Sequence, residues 1–325
     1  MSQFFWKISF GLLAITQITQ AWKLVCYLGS LDNSKSVEYT NAAELITSGY
    51  FNITKKTIVH AHGYRGNLTT QGTDLMMATC LSKPDLNCCA VDYAEEANFG
   101  QIPYLNFPLV VAKAYLVQNQ LAQAWKILWQ NGMKPETMHV MGLSLGAHVC
   151  GNAARTFRWL TNQTIARATG MDPAKPSYDG AFSIMPRIDQ SCADFVDIIH
   201  TDTNRNGMAT PTGHVDFFPN IITYRKTGVQ EGCPPINYVE NPPLSPKDAC
   251  SHRRSLNLYV DAWCGDDQLL AAQASDEDEW ASANFVPKVI ARIGESIDTT
   301  LRGQFYLRTA GEPPYGLGEA GLTAQ

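Results

Sequence analysis

The chain has 325 residues, 45% of them hydrophobic and 17% charged, with a formal net charge of −5. That balance supplies a large apolar core and is too poor in charge for a disordered chain. Basic residues are scattered along the sequence without a cluster, so no nucleic-acid partner is expected.

At the N-terminus, Lys7 precedes a run of about nine mostly apolar residues, Ile8 to Thr16, and the small residues Thr19 and Ala21 stand two apart. This pattern predicts a signal peptide over residues 1–21, leaving 22–325 as the folded unit and a secreted, extracellular destination. The apolar run is shorter than the roughly 20 residues that span a bilayer, and no later stretch reaches that length. No transmembrane segment is expected. Nine cysteines and the sequons at Asn52, Asn67 and Asn162 agree with an oxidising, glycosylating compartment.

Short apolar runs at 57–61 and 88–92 read as buried strands. Residues 108–132 carry Val111, Ala114, Tyr115, Ala122, Trp125 and Leu128 at helical spacing and stop at Gly132. A strand follows at 137–142, a helix from 145, and strands near 165–171 and 195–201. Strands alternating with helices predict an α/β class with a mostly parallel central sheet flanked by helices. The acidic run Asp276 to Glu279 reads as a solvated surface turn. The Gly- and Pro-rich tail from Gly311 is expected to hug the surface or fray.

Gly142-Leu-Ser144-Leu-Gly146 lies between a mostly apolar strand, Met138 to Met141, and a helix of small residues from Ala147. In that context the serine sits on a sharp strand-to-helix turn with its hydroxyl projected from the end of the sheet. The glycines have a steric reason, because the strained serine backbone leaves no room for side chains two residues away. Ser144 is the candidate nucleophile; the competing reading is a serine that merely caps the helix. Its hydroxyl needs a base and an orienting acid, which in this fold follow in the order acid, then histidine.

Two acids fit. Asp172 ends the strand at 165–171, 28 residues past the serine, and Pro173 stops that strand. Asp202 ends the strand at 195–201, and the residues alone leave both open. Of seven histidines, His200, His214 and His252 follow a plausible acid. His252 stands just after Cys250 and before a helical pattern, where a disulfide-pinned loop would fix a base. His200, inside an apolar strand, reads as a satisfied core histidine, and His214 as a structural hydrogen-bonding residue.

Six segments carry a family likeness: His62-Gly-Tyr64, Gly142-Leu-Ser-Leu-Gly-Ala-His148, Gly170-Met-Asp-Pro-Ala-Lys-Pro176, the strand from Phe195 to Asp202, Gly213-His-Val-Asp-Phe-Phe-Pro219 and Cys250-Ser-His252. In this order the chain resembles the pancreatic lipase family, which includes lipoprotein lipase and secreted phospholipases A1. The resemblance implies an α/β-hydrolase fold with Asp172 as the acid, His252 as the base and Asp202 structural. It also implies an oxyanion hole from the backbone N–H groups of Tyr64 and Leu145. That agrees with the need for one donor after the nucleophile and one from an early loop.

Two departures from the family matter. The chain ends before a C-terminal β-sandwich could begin, so a single domain and no colipase-type partner are expected. In the family's calcium loop, around 184–192, Ile184 and Cys192 stand where acidic ligands would be, and only Arg187 and Asp189 match. No calcium, no other metal and no cofactor are expected.

Cys233 and Cys250 enclose 16 residues before the base, matching the family's lid; closing such a loop stabilises by roughly 3 kcal/mol. Pro234, Pro235, Pro242, Pro243 and Pro246 exclude a regular helix there. A short irregular lid offering Ile236, Tyr238, Val239 and Leu244 to lipid is expected. Cys150 reads as a buried free thiol. Cys26, Cys80, Cys88 and Cys89 fall near one another in the strand order, and Cys192 is paired provisionally with Cys264.

The expected function is hydrolysis of lipid carboxylic esters at an interface through an acyl-enzyme, that is, triacylglycerol lipase activity. Phospholipase A1 cleavage at the sn-1 ester is the alternative, suggested by the short lid and by the ten residues between Asp202 and Gly213. An inactive lipid-binding or storage homologue is disfavoured by the intact Ser144, Asp172 and His252. A soluble short-chain esterase is a further reading.

Overall fold

The computed structural model describes residues 22–98, 106–181, 183–236, 249–265 and 268–324. The expected leader, and the lid residues Tyr238, Val239 and Leu244, lie outside the described residues.

Among the described residues, eleven strands build one sheet: β1 (Lys23–Leu28), β2 (Ser30–Val37), β3 (Lys56–Ala61), β4 (Leu86–Asp92), β5 (Met138–Leu143), β6 (Arg167–Met171), β7 (Phe195–Ile199), β8 (Val215–Pro219), β9 (Leu270–Gln273), β10 (Ile290–Arg292) and β11 (Gly303–Leu307). The principal helices are α1 (Thr73–Leu81), α2 (Phe107–Gln130), α3 (Leu145–Thr161), α4 (Ile221–Thr227), α5 (Cys250–Cys264) and α6 (Glu277–Ala281). Across the sheet the order is β10-β9-β11-β8-β7-β6-β5-β3-β4-β1-β2. The seven strands from β11 to β4 run parallel, and an antiparallel pair closes each edge. This is the mostly parallel α/β architecture read from the sequence. Pro108 sits in the first turn of α2, where its missing N–H costs nothing.

Neighbouring residues of a strand face opposite ways. Val59, Cys89 and Val140 accordingly bury into one apolar layer with α2 and α3. Ile58, Cys88 and Met141 bury into the other layer with α1 and α5. The adjacent cysteines of β4 therefore serve two different bonds. Cys89 bonds to Cys26 directly across from it on β1, and Cys88 bonds to Cys80 on α1.

The same geometry corrects an expectation. Cys192 and Cys264 are both free. Cys192 is buried in the layer of α2 and α3, where the Arg155 guanidinium contacts its sulfur at 3.1 Å. Cys264 ends α5 beside Thr79 of α1, in the opposite layer, so the sheet stands between them. Cys150 is a buried free thiol, and burial pushes its pKa up.

The acidic run is not a turn. Asp276 caps α6 by accepting the Glu279 N–H at 2.8 Å, and Glu277 pairs with Arg225 at 2.7 Å. Acidic residues at a helix N-terminus are favoured by the cap and by the helix dipole. The tail is held against the body, with Leu322 buried and its carbonyl accepting from Trp280 Nε1 at 3.0 Å.

A buried polar network ties the N-terminal ends of the parallel strands. Arg167 meets Asp197 through two 2.8 Å bonds. Glu295 accepts from Lys56 at 2.6 Å, from His139 at 2.7 Å and from Tyr259 at 2.6 Å. Burial alone would raise the Glu295 carboxyl, but His139, Arg167 and Lys56 outweigh it and hold it far below the ordinary carboxylate range. A carboxylate depressed on folding adds stability that is present above its unfolded pKa and drains away as pH falls below it. Glu295→Gln is expected to lower stability at neutral pH by about 1–3 kcal/mol. It should also flatten the fall in Tm below about pH 4, measured by thermal melts across an acid series.

Candidate active site

The turn between β5 and α3 is an abrupt one at the C-terminal end of a central parallel strand. Ser144 occupies it with φ 58° and ψ −119°, in the region that penalises an ordinary side chain. Its N–H is tied to Met171 O on β6 at 2.9 Å. Neither flanking glycine tolerates a Cβ. One on Gly142 would stand 2.2 Å from the Gly146 carbonyl carbon, and one on Gly146 would stand 2.1 Å from Ala61 O on β3. The glycines let the start of α3 lie directly against β3 and β5, which fixes where the serine hydroxyl emerges.

Asp172 follows β6 and is fully buried. Its Oδ1 accepts the backbone N–H groups of Thr201 and Asp202, at 2.7 and 3.0 Å, and its Oδ2 meets His252 Nδ1 at 2.5 Å. Because a carboxylate only accepts, Nδ1 carries the proton. Gly207 packs so closely that a Cβ there would fall 2.4 Å from either carboxylate oxygen. His252 stands in the first turn of helix α5, not in the loop expected before it. The Cys233–Cys250 bond closes at the same helix end, and Ser255 Oγ donates to the His252 carbonyl at 3.0 Å.

Asp202, the other candidate acid, takes different partners: Tyr224 OH on α4 and Asn206 Nδ2, both at 2.7 Å. Burial and the neighbouring Asp172 raise its pKa. Oxygens and ring nitrogens of Asp172, Asp202 and His252 lie within 4.8 Å of one another. The carboxylate oxygens already hold protein donors, which makes the cluster a hydrogen-bond network. His200 bonds Asp216 at 2.8 Å and Met208 O at 3.0 Å. Burial would lower its pKa, but Asp216 outweighs it and leaves it raised. His214 Nδ1 accepts the Val196 N–H at 2.9 Å. Both histidines hold structural hydrogen bonds, as read from the sequence.

Ser144 and His252 line one cavity of about 290 Å³ with Tyr64, Leu143 and Ala249. Leu145 is the first residue of α3, where an N–H has no partner one turn back in the helix. Arg65, Gln71 and Arg253 complete the described lining. Sequence reading missed these three: Arg65 and Gln71 lie in a polar loop, and Arg253 is one of two consecutive arginines with nothing to single it out.

In the segment compared with a calcium loop, Arg187 pairs with Asp179 at 3.0 Å and Asp189 pairs with Arg155 at 2.9 Å. Asn52 and Asn162 are exposed and Asn67 is half-buried in the loop after β3. Among the described residues, no helix is long and apolar enough to cross a membrane.

The Lipase family profile matches residues 22–315. Lipoprotein lipase of Rattus norvegicus is 32% identical over 234 residues, covering 68% of this chain and 46% of that protein. Lipase member H-B of Xenopus laevis is 31% identical over 246 residues, covering 75% of this chain and 49% of that protein. The chain thus spans about half the length of the curated relatives it matches. Among solved structures, α/β hydrolase domain-containing protein 10 from mouse aligns at 16% identity and a TM-score of 0.28, over 42% of this chain and 48% of that one. With the profile matched along most of its length, the chain belongs to the lipase family.

Proposed function

We propose that this chain hydrolyses carboxylic esters of lipids, with Ser144 as nucleophile, His252 as base and Asp172 as the acid that orients it. The observation that carries the reading is the 2.5 Å bond from His252 Nδ1 to a fully buried Asp172, beside a serine that shares the cavity with that histidine. Protonation at Nδ1 puts the basic lone pair on Nε2. Ser144 Oγ forms a bond to the ester carbonyl carbon as its proton passes to Nε2, and the carbonyl π electrons move to the oxygen. The backbone N–H groups of Tyr64 and Leu145 are assigned to that oxyanion. Collapse expels the alcohol, which takes the proton from His252. Water then repeats the sequence on the acyl-enzyme, releasing the fatty acid and restoring the serine.

The leading substrate is a neutral glyceride. Two guanidinium-bearing residues at the cavity favour a second reading, cleavage of the sn-1 ester of a phospholipid. Arg65 and Arg253 enter from separate elements, and guanidinium groups pair with phosphate by charge-assisted hydrogen bonds. The proposed setting is extracellular, after removal of residues 1–21 and with glycans on Asn52, Asn67 and Asn162. The three disulfides fit that setting.

Ser144→Ala is expected to lower ester hydrolysis by about 10⁶-fold with an unchanged thermal melt; wild-type activity in that variant would overturn the assignment. Asp172→Asn should lower kcat by about 10⁴-fold, whereas Asp202→Asn should keep it within about tenfold. Steady-state kinetics on one dissolved ester would compare the two acids. The substrate readings separate when a triglyceride emulsion and anionic phospholipid vesicles are assayed side by side. If phospholipid is the substrate, Arg65→Gln and Arg253→Gln should each slow vesicle hydrolysis roughly tenfold, the worth of about 1.5 kcal/mol in a charged hydrogen bond. The triglyceride rate should then stay unchanged.

A further inference from the structure

The loop after β3 passes directly beside the serine: a Cβ on Gly63 would sit 3.1 Å from Ser144 Cβ. One side chain grips this loop on both sides of its Gly63–Tyr64 peptide. Gln71 Oε1 accepts the Gly63 N–H at 3.1 Å, and Gln71 Nε2 donates to the Tyr64 carbonyl at 2.8 Å. The carbonyl between these two bonds is held as well. Gly63 O accepts the Gly66 N–H at 3.0 Å and faces His62 Nδ1 at 3.0 Å. In a trans peptide the N–H points opposite to the carbonyl, so anchoring Gly63 O also sets the direction of the Tyr64 N–H. Among the described residues no protein acceptor is paired with that N–H. Beyond the loop itself, Arg65 N–H is anchored to Ala97 O at 3.1 Å.

We propose that Gln71 is a positioning residue for the oxyanion loop, holding the Tyr64 N–H beside Ser144. The proposal rests on the reading of Tyr64 as an oxyanion donor. It explains why an amide side chain occupies an unfavourable backbone. Gln71 has φ 58°, in the left-handed region that glycine enters more easily than any residue with a Cβ. Backbone comfort favours glycine at this position, and only the reach of the carboxamide to both sides of one peptide favours glutamine. The Gln71 partners are residues 63 and 64, so the brace is internal to the loop that carries the donor.

The test uses the full-length protein, a dissolved short-chain p-nitrophenyl ester and the same ester in emulsion. Gln71→Gly relieves the backbone and removes the brace. Its thermal melt is expected at or above the wild-type temperature and KM within about twofold. Its kcat should fall by about 10- to 100-fold, somewhat less than the loss of a whole oxyanion donor. The deficit should be the same on dissolved and emulsified ester. Gln71→Glu keeps the acceptor for Gly63 but sets an ionised oxygen against the Tyr64 carbonyl. A protonated carboxyl can donate again, so its kcat relative to wild type should rise as pH falls toward about 4 to 5.

An unchanged kcat in Gln71→Gly would overturn the proposal. So would a loss of kcat that merely follows a loss of thermal stability, a deficit confined to the emulsion, or a Gln71→Glu ratio independent of pH. Ser144→Ala assayed in parallel separates the two levels. An active Ser144→Ala removes the nucleophile and the oxyanion loop together. An inert Ser144→Ala beside a fully active Gln71→Gly removes only the brace.

Discussion

A chain leaving a buried strand and entering a helix within one residue must turn through a conformation that L-amino acids avoid. At Ser144 that turn has positive φ and is stabilised from outside: by the hydrogen bond from its N–H to β6, and by two glycines that let α3 approach β3 and β5 at backbone contact. The remaining site geometry follows from this bend. It places the hydroxyl at the C-terminal ends of the parallel strands, where the loops after β3 and β6 and the helix α5 can reach it, and it leaves the first N–H groups of α3 beside the same hydroxyl.

Around that point, burial decides the electrostatics. Asp172 lies in the interior, where an unpaired carboxylate would be costly, and three donors compensate it: two peptide N–H groups and an imidazole. Holding the acid through backbone groups of the neighbouring strand's end makes its orientation a property of the sheet and independent of the side chains at 201 and 202. His62, buried and stacked on Tyr93 at 4.2 Å, is lowered to about 4 by desolvation. It therefore stays neutral at neutral pH, and the loop beside the serine carries no buried positive charge from that ring. Among the described lining residues, the positive groups are the two arginines at the cavity wall.

How far these features were legible in the residues depended on whether their cause was local. The central strands are buried on both faces, so 57–61, 88–92 and 137–142 announce themselves as apolar runs, and their observed bounds differ by a residue or two. β2, Ser30–Val37, is mostly exposed and polar, with no run to find. Asp172 and Asp202 end adjacent parallel strands and look alike in composition. What distinguishes them is which side chains arrive from elsewhere, His252 for one, Tyr224 and Asn206 for the other. The helix at 277 could have been found, because Asp276 followed three residues later by Glu279 is a start signal. Gln71 could not: its partners are peptide groups, which every residue has. The provisional pairing of Cys192 with Cys264 fails because the two sulfurs lie in opposite layers of the sheet, which nothing local to either residue announces.

That alternation at Cys88 and Cys89 has a consequence for assembly of the domain. One cysteine is bound to the neighbouring edge strand and the next is bound to a helix in the opposite layer. Sliding β4 by a single position would send each sulfur into the wrong layer and leave both crosslinks unmade. The vicinal pair thus works as a frame check on strand alignment: oxidation can complete both bonds only in the arrangement that also brings Val91 and Ala61 into line below the bend at Ser144.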